Sequence, residues 1–451
     1  MRIPRWTAQR NHLVVVLAIV LGGILSHSVP AHGQITLCPT TPYQGFNTVY
    51  GVCNGQTAGQ QGSFAFIDAY QFSNSGTTDL CATVNGILSN TWIPGNRNVN
   101  GVVIDARGFK SGTSQNCASN PWPTPSGPFP NIVLLPAGTI TINTTWVLPS
   151  DTRLVGQGPN VTTIKAASSF AGPMIQMGAA SPFCTNSDCQ AVVLEHFGLD
   201  GNQQAITGIL NQFSQELSRV NDVSITGITG TNGTGLSIST PSANNSGPYT
   251  NITFSGTGTC LNINTVTTRG VHGLTCTTTG TTNTTPVIYL DGLSNSLEDI
   301  NIFGSSTQDG ILIGSQAPAQ GNTVFNVTGS GLSNVIELST SHPVIDLTVL
   351  SVTNSGSAIS LKDNLTGSSL NDANLALYVV GDAIPGSVGY SRFTTSPNSA
   401  SGAKSATWIV GTTGPTGSNC ATGSLYSLTT GTGSGTTLWG CTSGTTWTPI
   451  K

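Results

Sequence analysis

The stretch Glu298-Asp-Ile-Asn-Ile-Phe-Gly304, followed by Gly310-Ile-Leu-Ile-Gly314, decides the fold of this chain. In the first segment Ile300 and Ile302 alternate with polar residues, which is the period-two pattern of a strand with one buried face; the second segment is a short apolar strand in which Leu312 is predicted to face outward. Glycine ends the first segment and bounds the second on both sides, as is typical of turns. The unit is therefore a pair of short strands joined by a turn.

The same unit recurs along the chain from about Val192 to Leu361. A repeat of ~20–50 residues with alternation inside it is typical of solenoids and propellers, and propeller blades are longer, at ~40–50 residues. The sequence therefore predicts an all-β fold, a right-handed parallel β-helix in which each coil stacks on the next. One residue of each unit occupies an equivalent position next to a strand. Together these residues are interpreted as a hydrogen-bonded column of turn residues with a structural role. Its residues follow at steps of 26, 29, 22, 26 and 47, the last covering two units: His196, Asp222, Asn251, Gly273, Asp299 and Asp346.

Four regions are predicted along the chain. Residues 1–33 have the basic start, apolar run and small-residue cleavage site of a signal peptide, and residues 34–100 form an irregular amino-terminal cap. Residues 101–391 form the β-helix. Residues 392–451, rich in Gly, Thr and Ser, form a small carboxy-terminal β-appendage with strands around Trp439 and Trp447. The mature protein is expected to be secreted and to lack a membrane span.

The charge balance argues against one class of partner. Charged residues are only 7% of the chain, and the formal net charge is −4. The predicted signal peptide carries three of the 14 basic residues and none of the 18 acidic ones, so the mature chain is more acidic still. No basic run is present that could follow a phosphate backbone, which argues against nucleic acid as a partner.

All ten cysteines follow the predicted signal peptide, which is consistent with an oxidising compartment. Spacing alone does not fix their connectivity. In a solenoid each coil touches only its neighbours, which favours bonds between cysteines that are close in sequence. The candidate bonds are Cys38–Cys53, Cys81–Cys117, Cys184–Cys189, Cys260–Cys276 and Cys420–Cys441.

Three motifs resemble the β-helix proteins of the pectate-lyase superfamily. They are Leu134-Leu-Pro-Ala-Gly-Thr-Ile-Thr-Ile142, Trp146-Val-Leu-Pro-Ser-Asp-Thr-Arg-Leu-Val-Gly-Gln-Gly158 and Leu199-Asp-Gly-Asn202. The resemblance covers roughly residues 100–380 and implies a parallel β-helix that engages carbohydrate. The superfamily includes lyases, hydrolases, epimerases, phage tailspikes and adhesin-like proteins, so the activity has to be argued from individual sites.

The paired carboxylates of a hydrolase are not found at the expected place. Polygalacturonases of the superfamily carry Asn-Thr-Asp, Asp-Asp, Gly-His-Gly and Arg-Ile-Lys motifs, and this chain matches them only partly, at Val271-His272-Gly273. No acidic residue lies between Asp222 and Asp291. Because hydrolysis needs two carboxyl groups across the scissile bond, standard polygalacturonase chemistry is not predicted. His272 is interpreted as a turn residue.

Other polar residues remain as catalytic candidates. Arg219 is interpreted either as a base or clamp for a uronate carboxylate, or as the ion-pair partner of Glu216. No cofactor is identified, although a calcium ion would be held by converging oxygen ligands to which Asp299 and Asp309 could contribute. The catalytic candidates are Arg219, Asp291, Asp309 and Glu337.

A binding surface is predicted on the second strand of successive units. Alternation points Asn262, Tyr289, Leu312 and Glu337 outward in one column, and Asp291 ends the strand of Tyr289. An aromatic ring beside acids and amides on a flat sheet suits sugar binding, in which rings stack and hydroxyls are hydrogen-bonded. The candidate binding residues are Asn262, Tyr289, Asp291 and Glu337.

Two functions follow from these patterns, and both involve a polysaccharide or a cell-surface glycan as the partner. In the first, the protein is a divergent lyase or hydrolase of a uronate-containing polysaccharide. In the second, it is a non-catalytic glycan-binding, adhesin-like or structural surface protein. Turnover of acidic polysaccharides distinguishes the two hypotheses.

Overall fold

The computed structural model of this chain describes the β-helix and parts of both flanking regions. All described residues belong to one compact unit that spans residues 61–451. The predicted signal peptide, Cys38, Cys53 and Cys420 lie outside the described residues. The residues described are 65–72, 79–89, 102–109, 115–123, 131–184, 188–241, 243–278, 280, 284–339, 341–357, 359–363, 376–378, 390–392, 407–411, 425–428, 438–442 and 446–450.

Short strands account for almost all of the regular structure. The first nine are β1 Ala65–Asp68, β2 Val102–Asp105, β3 Gln115–Cys117, β4 Asn131–Leu134, β5 Gly138–Ile142, β6 Trp146–Leu148, β7 Thr152–Val155, β8 Thr162–Ala166 and β9 Pro173–Met177. The next ten are β10 Val193–Gln204, β11 Thr207–Asn211, β12 Arg219–Ile228, β13 Thr234–Ser239, β14 Tyr249–Gly256, β15 Thr259–Asn264, β16 Val271–His272, β17 Thr275–Thr278, β18 Ile288–Leu290 and β19 Gly292–Leu293. The β-helix continues with β20 Ser296–Phe303, β21 Asp309–Ile313, β22 Ala319–Gln320, β23 Thr323–Ser330, β24 Asn334–Leu338, β25 Val344–Ile345, β26 Thr348–Ser355, β27 Ile359–Asp363 and β28 Ala376–Tyr378. The last five are β29 Tyr390–Arg392, β30 Thr407–Gly411, β31 Leu425–Leu428, β32 Leu438–Cys441 and β33 Trp447–Pro449.

Strands β1 to β28 stack into three parallel sheets that run along a solenoid of about nine turns. The front sheet has 16 strands and follows the order β1-β2-β4-β7-β10-β12-β14-β16-β20-β23-β26-β28, with β3, β5, β8 and β17 at its side. The back sheet has nine strands, ordered β27-β24-β21-β18-β15-β13-β11-β9-β6, and the third sheet is β19-β22-β25. The predicted right-handed parallel β-helix is confirmed.

The core is the apolar interior that the three sheets enclose. In β20 the inward side chains of Leu297, Ile300 and Ile302 are fully buried, whereas Asn301 and Phe303 face outward. Burial of each such aliphatic side chain stabilises the fold by about 1.5–3 kcal/mol. Because equivalent side chains lie one above another at ~4.8 Å, each coil completes the core of its neighbours.

A left-handed backbone residue interrupts the front sheet in every coil from β10 to β26, as the predicted turn column requires. His196, Asp222, Asn251, Gly273 and Asp299 all have positive φ angles, of 61°, 53°, 54°, 67° and 58°. This local kink is why inward residues in β20 are spaced by three, at Leu297 and Ile300, before alternation resumes.

The assignment of Asp346 to that column is wrong. Asp346 directly follows β25 of the third sheet, where Ser294 and Gly321 occupy the same place in the preceding coils. The front-sheet column continues instead through Asn326 and Ser351. Alternation of apolar residues looks the same in a strand of the third sheet and in a strand of the front sheet. The sequence pattern therefore did not distinguish Val344-Ile345 from a front-sheet strand.

One α-helix, α1 (Leu80–Leu88), occurs among the described residues, inside the region predicted to be irregular. The Asp79 carboxylate caps it by accepting hydrogen bonds from the backbone amides of Cys81 and Ala82, at 2.8 and 3.1 Å. Its buried face carries Leu80, Val84 and Ile87. A single short turn of 3-10 helix, Ala69–Phe72, follows β1.

Three of the predicted disulfides are confirmed. Cys81 bonds Cys117, Cys184 bonds Cys189, and Cys260 bonds Cys276. The bond between Cys260 and Cys276 crosses the core, because it joins β15 of the back sheet to β17 of the front sheet. The predicted pairs Cys38–Cys53 and Cys420–Cys441 involve residues outside the described part of the chain and remain predictions.

The carboxy-terminal strands form a separate, largely antiparallel sheet. Its order is β29-β30-β31-β32-β33, and only the β30–β31 pair is parallel. Strands β32 and β33 lie at the predicted positions, around Trp439 and Trp447. The predicted β-appendage is therefore confirmed as an element of the fold. Among the residues that the structure describes, no helix has the length and apolar character to cross a membrane.

Candidate functional site

The outward face of the front sheet carries a continuous row of polar and aromatic side chains. Strand register places them on successive coils just before the kink of each strand, and all of them are at least partly exposed except Glu195, which is buried. We call these residues the outer row: Glu195, Asn221, Thr250, His272, Glu298 and Phe325. Because adjacent strands lie ~4.8 Å apart, neighbours in the row can contact each other directly.

His272 and Glu298 form a hydrogen-bonded pair in this row. His272 Nδ1 lies 3.1 Å from Glu298 Oε2, and about a third to two fifths of each side chain is exposed. Gly270 makes room for them: a Cβ at that position would lie 2.8 Å from His272 Nε2 and would also clash with the Ser296 hydroxyl. An accessible imidazole and carboxylate in contact are the groups that general acid–base chemistry uses. The interpretation of His272 as a turn residue is wrong, because it lies in β16 and its acidic partner follows 26 residues later.

One exposed aromatic ring stands beside this pair, and a second lies at the far end of the strand that carries Glu298. Phe325 pairs in register with Glu298 and is 43% exposed, and Phe303, at the end of the same strand as Glu298, is 45% exposed. Burial of a phenylalanine side chain stabilises a fold by about 1.5–3 kcal/mol, and a ring that stays exposed does not contribute this free energy. Phe325 and Phe303 therefore offer flat apolar platforms on an otherwise polar sheet.

Arg219 belongs to a cluster of three charges at the other end of the row. Its Nε and Nη2 atoms lie 3.3 and 3.2 Å from Glu195 Oε1. Arg153 Nε donates to Glu195 Oε2 at 2.8 Å, and Glu195 is almost completely buried. Two half-exposed guanidinium groups thus share one carboxylate. The alternative partner predicted for Arg219, Glu216, is not the residue that binds it.

Side chains of the turn column also form hydrogen bonds with the equivalent side chains of adjacent coils. His196 Nδ1 lies 2.7 Å from Asp222 Oδ2, and Asn326 Nδ2 donates to Asp299 Oδ1 at 2.6 Å. Each bond joins residues at the same kink of adjacent strands. The side chains of this column therefore stabilise the left-handed turns, in agreement with the structural role expected for them.

The predicted column on the back sheet has the expected register. Asn262 pairs with Tyr289, Tyr289 with Leu312, and Leu312 with Glu337. All four side chains face outward and are half-buried. Burial raises the pKa of Tyr289, and the negative charges of Asp291 and Asp309 raise it further. Whether this column binds sugar stays a prediction.

Asp309 and Glu337 meet at a residue that the sequence patterns did not single out. Asn334, which is only 2% exposed, donates from its Nδ2 atom to Asp309 Oδ1 at 2.6 Å and to Glu337 Oε2 at 2.9 Å. Both candidate acids are thus engaged by one buried amide at the back sheet.

Asp291 does not reach the solvent. It is fully buried, and its carboxylate accepts hydrogen bonds from the backbone amides of Ser315 at 2.9 Å and Gln316 at 3.3 Å. Burial raises the pKa of Asp291 despite these bonds. Asp291 organises the turn that follows β21 and offers no surface to a glycan.

Among the described residues, one group of three side chains has the spacing of metal ligands: Asp79, Cys81 and Cys117. The two sulfur atoms are joined in a disulfide and the carboxylate caps α1, so this group does not form a metal site. Calcium binding by Asp299 and Asp309 stays a prediction. Asp299 lies in the front sheet and Asp309 in the back sheet.

No protein-family model and no curated protein matches this chain. Similar solved structures include the ORF18 protein of Geobacillus virus E2, with 15% identity and a TM-score of 0.42 over 70% of this chain and 61% of that chain. The A-modules of the Azotobacter vinelandii mannuronan C-5 epimerases AlgE4 and AlgE6 have 11% identity each. Their TM-scores are 0.30 and 0.27, over 70% and 71% of this chain and 95% and 97% of theirs. This chain therefore spans about three fifths of the viral protein, and its function has to be inferred from its own side chains.

Proposed function

We propose that this protein binds a polysaccharide along the outer face of the front sheet. The observation that carries the proposal is the exposure of Phe325 and Phe303 beside hydrogen-bonding side chains on a flat parallel sheet. Sugar rings have an apolar face that stacks on an aromatic ring and hydroxyl groups that need polar partners. The outer row and its neighbours supply both kinds of contact.

The geometry of the sheet suits an extended polymer. Outer-row residues repeat at ~4.8 Å along the solenoid, so a chain lying across several coils meets a new side chain at every step. Asn221 and Thr250 provide an amide and a hydroxyl, joined at 2.7 Å, between the arginine pair and His272. The three disulfides fit the oxidising compartment in which a secreted glycan-binding protein would work.

Binding by the wild type and three variants tests this proposal. Phe325→Ala should weaken binding of the glycan that the array identifies by about 5- to 150-fold, since loss of a stacked ring costs about 1–3 kcal/mol. Leu293→Ala is the matched control, because Leu293 is an equally exposed apolar side chain in the third sheet. Tyr289→Ala tests the predicted back-sheet column in the same assay. If Tyr289→Ala loses binding and Phe325→Ala binds like the wild type, the binding site lies on the back sheet and the proposal for the front sheet is wrong.

A second candidate function is turnover of a uronate-containing polysaccharide, and the contact between His272 and Glu298 is the observation that favours it. A lyase needs a base for the proton next to the uronate carboxylate and a positive group for that carboxylate. The imidazole and carboxylate could exchange such a proton, and Arg153 and Arg219 lie on the same face.

Incubation with acidic polysaccharides, with and without calcium, distinguishes turnover from binding. Unsaturated products or new reducing ends that disappear in both His272→Gln and Glu298→Gln would establish an enzyme. Binding without any product across the panel would establish a non-catalytic glycan-binding protein.

A further inference from the structure

A polar cleft of about 280 Å³ opens at the carboxy-terminal ends of three successive front-sheet strands. It lies where β10, β12 and β14 turn away from the sheet, at a distance along the strands from the outer row. The side chains that line it are Asp200, Gln203, Thr226, Thr229, Ser255 and Thr257.

Three of these side chains have hydrogen-bonding groups without a partner among the described residues. The side chains of Gln203, Thr229 and Ser255 make no hydrogen bond to any residue that the structure describes. Gln203 and Ser255 are exposed, and each offers both a donor and an acceptor. An amide and two hydroxyls that face one cleft can bind several groups of one ligand.

Glycine keeps the floor of the cleft open. Gly227 has a φ of +66°, and a Cβ there would lie 2.6 Å from Asp200 Oδ1. Gly256 also lines the cleft without a side chain. The volume is slightly below the range of ~300–1,000 Å³ that is usual for ligand sites, so the cleft suits a single ring.

The charge of the cleft selects against an acidic ligand. Asp200 Oδ2 lies 3.0 Å from Lys165 Nζ, and its Oδ1 accepts the Asn202 backbone amide at 2.8 Å. Lys165 is already engaged by this carboxylate, and no cation lines the cleft. A second carboxylate would meet Asp200 without a positive partner, whereas sugar hydroxyls can donate to the remaining lone pairs of Asp200.

Strand register connects the cleft to one of the exposed rings. Asp200 pairs with Thr226, Thr226 with Ser255, Ser255 with Thr277, and Thr277 with Phe303. Phe303 thus lies two coils beyond Ser255 in one straight row, at about 10 Å. A polymer stacked on Phe303 and extended along this row enters the cleft.

We propose that the cleft is a subsite for one uncharged sugar residue of the bound polysaccharide. This inference rests on the proposed function, and it adds a specificity: the glycan contains neutral residues, whose hydroxyls bind Gln203, Ser255 and Asp200. Each lost hydrogen bond should weaken binding by about 3- to 10-fold, the equivalent of about 0.5–1.5 kcal/mol.

An array of neutral and uronate glycans, followed by calorimetry with the best-bound oligosaccharide, tests the subsite. We expect Gln203→Ala and Ser255→Ala each to lower the affinity by about 3- to 10-fold. Gln320→Ala is the matched control, because Gln320 is exposed like Gln203 but lies in the third sheet, away from the front face and the cleft.

The outcomes separate the subsite from the proposed function. Binding that is lost in Phe325→Ala but unchanged in a Gln203→Ala, Ser255→Ala double variant would overturn the subsite and leave the function standing. Selective binding of pure uronate polymers would overturn the subsite as well. A wild-type protein that binds no glycan on the array would overturn both.

Discussion

At the scale of single residues, buried polar groups are hydrogen-bonded in ways that govern stability. Tyr249 is fully buried, and its hydroxyl donates to Ser246 Oγ at 2.8 Å and accepts from Asn211 Nδ2 at 2.9 Å. Ser246 in turn donates to the Ala243 carbonyl. Burial raises the pKa of Tyr249 to about 12.

This raised pKa predicts a loss of stability at alkaline pH. In the unfolded chain the tyrosine ionises near pH 10, so the folded state binds the proton more tightly and is favoured in full below that pH. Between pH 10 and 12 the unfolded chain gains by ionising, and about 3 kcal/mol of stability is lost. Chemical denaturation of the wild type at pH 8 to 12 measures this loss in the free energy of unfolding.

Tyr249→Phe is the variant that isolates the effect. At neutral pH it should be less stable by about 1–3 kcal/mol, since two buried polar groups lose a partner. From pH 10 to 12 the gap between wild type and variant should shrink, because the phenylalanine ring cannot ionise. A gap that stays constant to pH 12 would contradict the assignment.

At the scale of the strand, alternation with one kink decides which side chains are buried. Ile300 has no exposed surface, whereas the adjacent Asn301 is exposed. Ile300→Asp should therefore destabilise the fold by about 4 kcal/mol or more, because it places an unpaired charge in the core. Asn301→Asp introduces the same side chain on the outer face and should change stability by about 0.5 kcal/mol or less. Circular dichroism melting of both proteins checks this, and a cooperative wild-type-like transition in Ile300→Asp would show that the register is wrong.

At the scale of the whole molecule, covalent and non-covalent stabilisation are unevenly distributed. The disulfide between Cys81 and Cys117 closes a separation of 36 residues and ties α1 to β3. In the chain-entropy account such a loop stabilises by about 3–4 kcal/mol. No cysteine lies between Cys276 and Cys420, so the described coils after Cys276 are held by non-covalent contacts, chiefly the stacked Ile, Leu and Val of their core.

Reduction should accordingly loosen the molecule from its amino-terminal side. Hydrogen exchange after treatment with a reductant should increase in α1 and β3 and stay unchanged in β20, β21, β23 and β24. A Cys81→Ser, Cys117→Ser double variant without reductant is the control and should show the same local increase. Faster exchange in β20 to β24 at the same reductant concentration would indicate that the coils do not unfold independently.

The architecture could be predicted from the amino-acid sequence, because the signals that specify it are local. Alternation within a strand and turn residues between strands depend only on neighbours along the chain, so Ile300 could be predicted inward and Tyr289 outward. The repeat length then predicted stacked coils, and short separations predicted the three confirmed disulfides. Strand β1 and helix α1 could not be predicted in this way, since neither belongs to the repeat.

The contacts between side chains of different coils could not be predicted in this way. Coil lengths vary, so the partner of a residue depends on every turn between the two. His272 therefore contacts Glu298 rather than an acid of its own coil, and Arg219 binds Glu195 rather than the nearby Glu216. Solvent access at a turn is equally non-local, because the next coil covers it; Asp291 looked like a surface acid by alternation and is buried by the turn at Ser315. Alternation is a property of one strand, whereas contacts and burial at the site are properties of the stack.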